Sequence, residues 1–554
     1  MTIHSSEVRV MEFGDLLKEI GEFGWFQKWL SFMICLPNFL NAFPLFGQVF
    51  IVMDVPHYCN TSWIRKFGLN LTEDQELNLT IPRKPDGSLE ECRMFTPVQG
   101  NLQSIQLNST ENCRDGWVYP EGLQPTLLTE FNLVCERKNL NDISQSIFMA
   151  GVLAGALVFG PLSDRIGSRN TILLTLLLMG SFGVGAGFAP NFYVYVALRF
   201  VVGSAFAGIS ISMTALASEW VGASYRPVVV VMGHCCNAMG QMALAGLAYG
   251  IRDWRLYQLA GSLPVFCLFF YIWVLPSSAR WLLTRGKVQE AKKEIRRAAS
   301  INKRSVPEVL LSKLDSQKNG KSGSMLDLLK KPYLRKITLI VAWIWFADSM
   351  VYYGLSFHVG NFGLDIYMTQ LVFGAVEIPA RLSCIFLLQW LGRRKCQACW
   401  LLLGGVVCMI IPAIPKTFPV IVTVLAVTGK AALAASFSTT YVFSAEVFPT
   451  VLRQTCLGLC SISARIGGIL APLAGLLDEF HPAISMVLFG STALVGGILS
   501  FFLPETRNRD LPDDTTVSPP SHRSNTTING VFDSGPAEEK HGSWIKGTTK
   551  NTCL

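Results

Sequence analysis

Charge is what this sequence has least of. Asp, Glu, Lys and Arg make up 16% of its 554 residues, where a soluble chain carries about 25%. There are seven histidines, and no set of four cysteines and histidines stands at metal-ligand spacing. A glycine-rich phosphate loop and a nucleophile elbow are both missing. These gaps argue against an enzyme, a metal centre or a bound cofactor.

Apolar residues fill the space. They are 50% of the chain, and mean hydropathy is +0.37. They cluster in runs of about 20, the helix length that crosses a bilayer. About twelve runs are legible, near 26–53, 143–162, 171–189, 191–218, 227–250, 256–276, 337–357, 366–390, 396–414, 417–443, 454–477 and 483–503. The first is too long for a signal peptide and has no small-residue cleavage site after it. The formal charge of +8 reads as positive-inside topology, not as a nucleic-acid footprint. Residues 164–170, 280–297 and 391–395 are all basic, and an even span count puts them with both termini, in the cytoplasm.

The first two runs are separated by a polar stretch, 55–140, which the topology makes extracellular. It holds Cys59, Cys92, Cys113 and Cys135, so two disulfides are expected in an oxidising compartment, with three connectivities open. It also holds glycosylation sequons at Asn60, Asn70, Asn78 and Asn108.

The chain repeats itself. "GPLSDRIGSR" (160–169) ends the second run and "LQWLGRR" (388–394) the eighth. Glu219 and Arg226 close the fourth run as Glu446 and Arg453 close the tenth. "LPSSARWL" (275–282) answers "LPETRNRD" (503–510). Two six-span halves in the same order, with a site near the midplane between them, are the layout of major facilitator transporters. The expected organisation is an N-terminus (1–25), a first span (26–54), the loop (55–140), the rest of the first half (141–279), a basic linker (280–332), the second half (333–504) and a polar disordered tail (505–554). Asp164, Arg165, Arg169, Glu219, Arg226, Arg393, Glu446 and Arg453 are expected to pair across the cytoplasmic ends of the halves as a gating latch.

Longer stretches narrow the likeness. "DLLKEIGEFGWFQ" (15–27), "CRDGWVYP" (113–120), "TEFNLVCERK" (129–138), "ARWLLTRGK" (279–287) and "SAEVFPTVLRQTCLG" (444–458) resemble solute carrier family 22, the organic ion transporters. "YYGLSFHVGNFGLDIYMTQLVFGAVEIPAR" (352–381) is similar to the organic anion branch that includes members 13 and 14. The resemblance implies an all-α membrane protein of twelve helices, a plasma-membrane location, a monomer, and anion exchange without ATP. Two positions depart from the family pattern: Ser168 replaces a basic residue, and Ser277 an acidic one that the second half keeps as Glu505.

Arg465 stands in the middle of an apolar run. A buried charge there costs about 2.5–3.5 kcal/mol on insertion scales, and its helix offers no carboxylate within two turns on the same face. The resemblance places an arginine here in anion transporters and an aspartate in cation transporters, and a guanidinium fork suits a carboxylate. Arg381 is a second candidate, although Glu377 four residues earlier can pair with it. Asp348 either neutralises an arginine or holds a proton, and Lys430 reads as an interfacial lysine that snorkels. Tyr352, Tyr353, Phe437 and Tyr441 match cavity aromatics of the family and can sandwich a flat ring. Asn237 and Gln48 would supply hydrogen bonds to a nicotinate-, urate- or flavin-like ring.

The expected partner is thus a small organic anion, with a riboflavin- or carnitine-like vitamin or zwitterion, or an organic cation, as alternatives. No nucleic acid is expected. A PDZ protein is a further partner at the C-terminus, where Thr552 stands two before Leu554.

Overall fold

The computed structural model describes residues 13–67, 71–85, 87–96, 109–120, 122, 124–222, 225–307, 310–311, 331–415, 417–448 and 453–507. Eleven helical segments are long and apolar enough to cross a membrane: Trp25–Ile51, Cys135–Ile166, Ser168–Gly187, Phe192–Trp220, Arg226–Gly250, Trp254–Val274, Pro332–Phe357, Ile366–Leu391, Arg393–Ala413, Pro419–Val447 and Thr455–Glu479. A shorter apolar helix, Ile484–Ser500, stands where the twelfth run was read. They are numbered here as spans one to twelve. The chain is a multi-pass membrane protein.

The repeat seen in sequence is a repeat in packing. Span one packs on five, two on four and three on six; seven packs on eleven, eight on ten and nine on twelve. Between the halves, span two meets eleven and span five meets eight. Small residues set these approaches. A Cβ on Gly151 would stand 2.2 Å from the Phe200 carbonyl oxygen, and one on Gly155 2.2 Å from that of Ser204. The Gly151-to-Gly155 spacing is therefore the contact face of span two on span four.

Span one is broken, as its prolines require. It runs as Trp25–Leu40, Ala42–Phe46 and Gln48–Ile51, with Pro37 inside the first piece. Pro37 has no N–H to offer the carbonyl of Met33 four residues back. The Tyr271 hydroxyl donates to that oxygen instead.

The loop between spans one and two carries two small ribbons, Tyr58–Cys59 with Trp117–Val118 and Arg93–Phe95 with Thr110–Asn112. The disulfides are Cys59–Cys113 and Cys92–Cys135, which selects one of the three open connectivities. His57 lies beside Cys92 and Cys135, but both sulfurs belong to the disulfide. A cavity of about 320 Å³ opens between this domain and the first turn of span two, lined by Asp54, His57, Trp117, Glu136 and Lys138 among others. The loop is pinned to the bundle by Glu130, which accepts from Arg255 Nε at 3.2 Å and Trp254 Nε1 at 2.7 Å.

Candidate functional site

In the second half, spans seven and ten bring the predicted aromatics together. Trp345 is buried, donates to Ser444 Oγ at 2.9 Å, and sets its ring 4.4 Å from Tyr441 and 5.8 Å from Phe437. Phe437 and Tyr441 share a helix face, 5.7 Å apart, and Tyr352 lies 6.0 Å from Phe437. Tyr353 stacks on Phe357 and lies against Gly468 of span eleven. Across the interface, His234 of span five faces Tyr441 at 5.7 Å.

Arg465 is next to this wall, within electrostatic reach of Tyr441 and Tyr353. It is only half-buried. Its Nη1 donates to the Ser461 carbonyl at 3.1 Å and to the Ser461 hydroxyl, both one turn back on its own helix. Its Nε is buried without a partner. Among the described residues no carboxylate pairs with it.

Arg381 is different. Its Nη2 lies 2.9 Å from Glu377 Oε2, and its Nη1 donates to Ser438 Oγ at 3.1 Å. Glu377 is 1% exposed and holds a second cation, Lys430, whose Nζ stands 3.1 Å from Oε1. Tyr352 donates to the same oxygen at 2.8 Å, and Lys430 also donates to Ser356. Two cations thus share one carboxylate. This corrects the reading of Lys430. It is not an interfacial lysine but lies fully buried, twelfth of 29 residues in its helix, too deep for its stem to reach water.

Other predictions are corrected too. Asp348 neutralises no arginine: Ser436 and Thr440 of span ten donate to its two oxygens at 2.5 Å each, and Gln397 of span nine donates to Ser436 at 2.7 Å. Gln48 faces the interior of the first half, not a ring-binding site. It donates to Ser144 Oγ at 3.3 Å and accepts from Tyr195 at 3.5 Å. That network ends on Arg199, buried over the Phe148 ring and donating to Gln145 at 2.9 Å. Asn237 donates to the Asn38 carbonyl of broken span one at 3.1 Å. Lys430, Trp345, His234 and Arg199 are the residues that sequence reasoning missed or misplaced. Depth arithmetic along the tenth run would have caught Lys430.

The described contacts of the latch residues lie within one half in this conformation. Arg393 clasps Glu446 through two bonds of 2.9 Å, and Thr506 adds one of 2.7 Å, all within the second half. Arg169 donates to Ser277 and the Ile272 carbonyl within the first half. The Asp164 carbonyl accepts from Trp281 and Arg285, Glu219 meets Ser278, and Arg226 reaches the Val221 carbonyl. Arg165 is exposed, and the Arg453 side chain lies outside the described residues. The reason is local. Gly167 (φ 91) and Gly392 (φ 85) turn their loops against Trp281 and Glu505, just after the last span of their own half, a conformation that other residues resist. Glu505 exploits this by accepting from the Arg393 and Arg394 N–H groups at 2.8 and 3.2 Å, capping the positive end of span nine. Ser277, at the matching place, brings no negative charge to span three and accepts from the Arg169 side chain instead.

Asn60 and Asn78 lie on the loop domain, Asn78 exposed. Asn70, Asn108, the PDZ-like terminus and residues 508–554 of the predicted disordered tail fall outside the described residues, whereas Glu505 and Thr506, predicted as part of that tail, are bonded to the second half.

Residues 108–515 match the sequence profile of the family described as "Sugar (and other) transporter". Human solute carrier family 22 member 13 is 51% identical over 507 residues, covering 91% of this chain and 92% of that protein. Human member 14 is 37% identical over 526 residues, 92% and 88% of the two chains. Member 6-A of Xenopus laevis is 37% identical over 524 residues, 91% and 93%. Among solved structures, the inward-open xylose transporter XylE from E. coli superposes with a TM-score of 0.58 at 15% identity, over 88% of this chain and 98% of that one, a likeness of fold alone. Six-span halves packed in the same scheme, the transporter profile and the relatives converge: the chain belongs to solute carrier family 22 and has the major facilitator fold.

Proposed function

We propose that this transporter carries organic anions, aromatic monocarboxylates of the nicotinate or urate kind, across the plasma membrane by alternating access, exchanging one anion for another. The observation that carries the reading is Arg465. A half-buried guanidinium with a free Nε and no carboxylate partner is electrostatically incomplete, and a bound carboxylate completes it. The wall of Tyr353, Phe437 and Tyr441 beside it offers ring faces to a flat substrate. Asn237 is tied to a backbone carbonyl, so hydrogen bonding to ring edges falls to His234 instead.

Both termini are cytoplasmic and the disulfide-bonded loop extracellular in this reading, which the oxidised cysteines and the basic loops on the opposite side support. Asn60 and Asn78 then carry glycans, and the terminal Thr552-Cys553-Leu554 takes a PDZ domain. Deleting residues 552–554 lowers surface retention in a polarised cell and leaves affinity unchanged.

Counterflow uptake into proteoliposomes tests the function. Nicotinate or urate inside should accelerate entry of labelled nicotinate or urate, whereas carnitine and tetraethylammonium should not. Acceleration by the quaternary amines alone would overturn the anion reading. Entry that internal anion leaves unchanged would overturn exchange.

A further inference from the structure

At the loop-domain end, a titratable cluster bridges the two halves. His358 caps span seven and is 8% exposed. Its Nδ1 stands 2.8 Å from the Gly354 carbonyl. A carbonyl only accepts, so Nδ1 carries the proton of the neutral ring. Nε2 then points its lone pair at acids. Asp478, at the end of span eleven, has Oδ2 3.7 Å from Nε2. Asp142, in the first turn of span two, approaches from the other half. A Cβ on Gly475 would stand 3.0 Å from His358 Nε2 and 3.4 Å from Asp142 Oδ2, so both side chains converge on that glycine.

The surroundings leave the cluster short of positive charge. Asp142 also feels Glu479 and Lys138. Lys138 is exposed and paired with Asp54 at 3.0 Å. Span twelve contributes no charge, only the Phe489 ring edge-on to His358 and the Ser485 N–H to Asp478 Oδ1. A neutral imidazole here would set a lone pair against two carboxylates. One added proton turns Nε2 into a donor between them.

We propose that Asp142, His358 and Asp478 form an extracellular proton-binding site whose occupancy clamps the outer ends of the two halves together. With the proton bound, a cation sits between one acid from each half. Without it, the two acids repel across the interface. Neighbouring contacts make this the closing surface: Ser146 of span two donates to the Ile469 carbonyl of span eleven at 3.0 Å, and Phe50 stacks on Tyr367 at 5.4 Å. External acid therefore shifts the protein toward the state closed on the outside.

The inference rests on the alternating-access reading and on the sidedness given above, and not on the substrate. Its test is therefore a labelling rate, which needs no transport. Ser146→Cys places a thiol at the closed outer contact, 6% exposed at present. Phe480→Cys places one at an open position, 82% exposed. An impermeant maleimide is applied to intact cells at pH 7.5 and 5.5, and labelling of position 146 is divided by that of 480, which cancels the reagent's own pH dependence. The ratio should fall several-fold on acidification in the parent. In His358→Gln and in Asp142→Asn it should stay level. Position 480 also reports surface delivery of each variant. A parent ratio indifferent to pH, or an undiminished fall in either variant, overturns the proposal. No labelling at 480 in protein shown by detergent extraction to be present overturns the outer placement instead. Counterflow failing while the ratio still responds would count against the substrate reading alone.

Discussion

Lys430 lies face-on over Tyr352, its Nζ 3.2 Å from the ring centroid. The ring's negative face and the Glu377 carboxylate hold the ammonium from two directions, and Arg381 shares the same carboxylate from its other oxygen. The arrangement explains how two cations survive in the second half far from water. It also means that Glu377 occupies Arg381, whereas Arg465 has no carboxylate partner among the described residues.

Removing the shared carboxylate should be worse than removing either cation. Breaking a buried pair costs about 3–5 kcal/mol because the remaining charge is uncompensated, and Glu377→Ala strands two. We expect Glu377→Ala to lose most surface protein, and Lys430→Met to retain more. The double variant Glu377→Ala/Lys430→Met should recover part of the loss. Melting temperature in detergent and surface biotinylation measure the cycle; additive losses would show that the two residues are not coupled.

Arg465→Asp should abolish organic-anion uptake at normal surface delivery, and weak cation uptake is the expected gain. Arg465→Lys keeps the charge and loses the planar fork, so it should fall in between, mainly through a higher KM for carboxylates. Wild-type affinity in Arg465→Ala would make the residue structural and return Arg381 to the leading position.

Glu446→Ala or Arg393→Ala removes a two-bond clasp far from the aromatic wall. Turnover should drop more than apparent affinity changes, because the clasp braces the end of its half and touches no substrate. A collapse of affinity with turnover intact would disprove this.

Glu130 anchors the loop domain. Burial pushes its carboxyl up, but hydrogen bonds from Arg255 and Trp254 and the guanidinium charge outweigh that and hold it below the usual range. A lowered carboxylate stabilises fully above its unfolded pKa of about 4.3, and that stability is lost as pH falls through the folded value. Glu130→Gln should therefore cost about 1 kcal/mol at pH 7, in line with a partly exposed charge pair, and the difference from wild type should shrink below about pH 4. Thermal melts of the purified protein at both pH values check it.

Much of this protein was decided by sequence alone. Run length and spacing gave the spans because bilayer thickness fixes helix length. The paired motifs that hold Arg393 and Glu505 gave the two halves, and the four loop cysteines gave two disulfides. Ser277 against Glu505 already showed where the halves differ, since a carboxylate brings a negative charge to the helix N-terminus and a hydroxyl does not. Apart from the Glu377–Arg381 pair on one helix face, partnership was not legible. A strip of sequence shows Lys430 among apolar residues but cannot show Glu377 facing it from another helix, nor the hydroxyls that occupy Asp348, nor Gln48 turned into the first half. The partners of the latch residues in this conformation were hidden for the same reason: positive-φ turns at Gly167 and Gly392 set their loops against Trp281 and Glu505. Asp142, His358 and Asp478 lie more than a hundred residues apart at their closest, and only the meeting of spans two, seven and eleven makes them one site. Local chemistry writes the helices, but the charge balance of a buried group depends on neighbours that the chain brings in from far away.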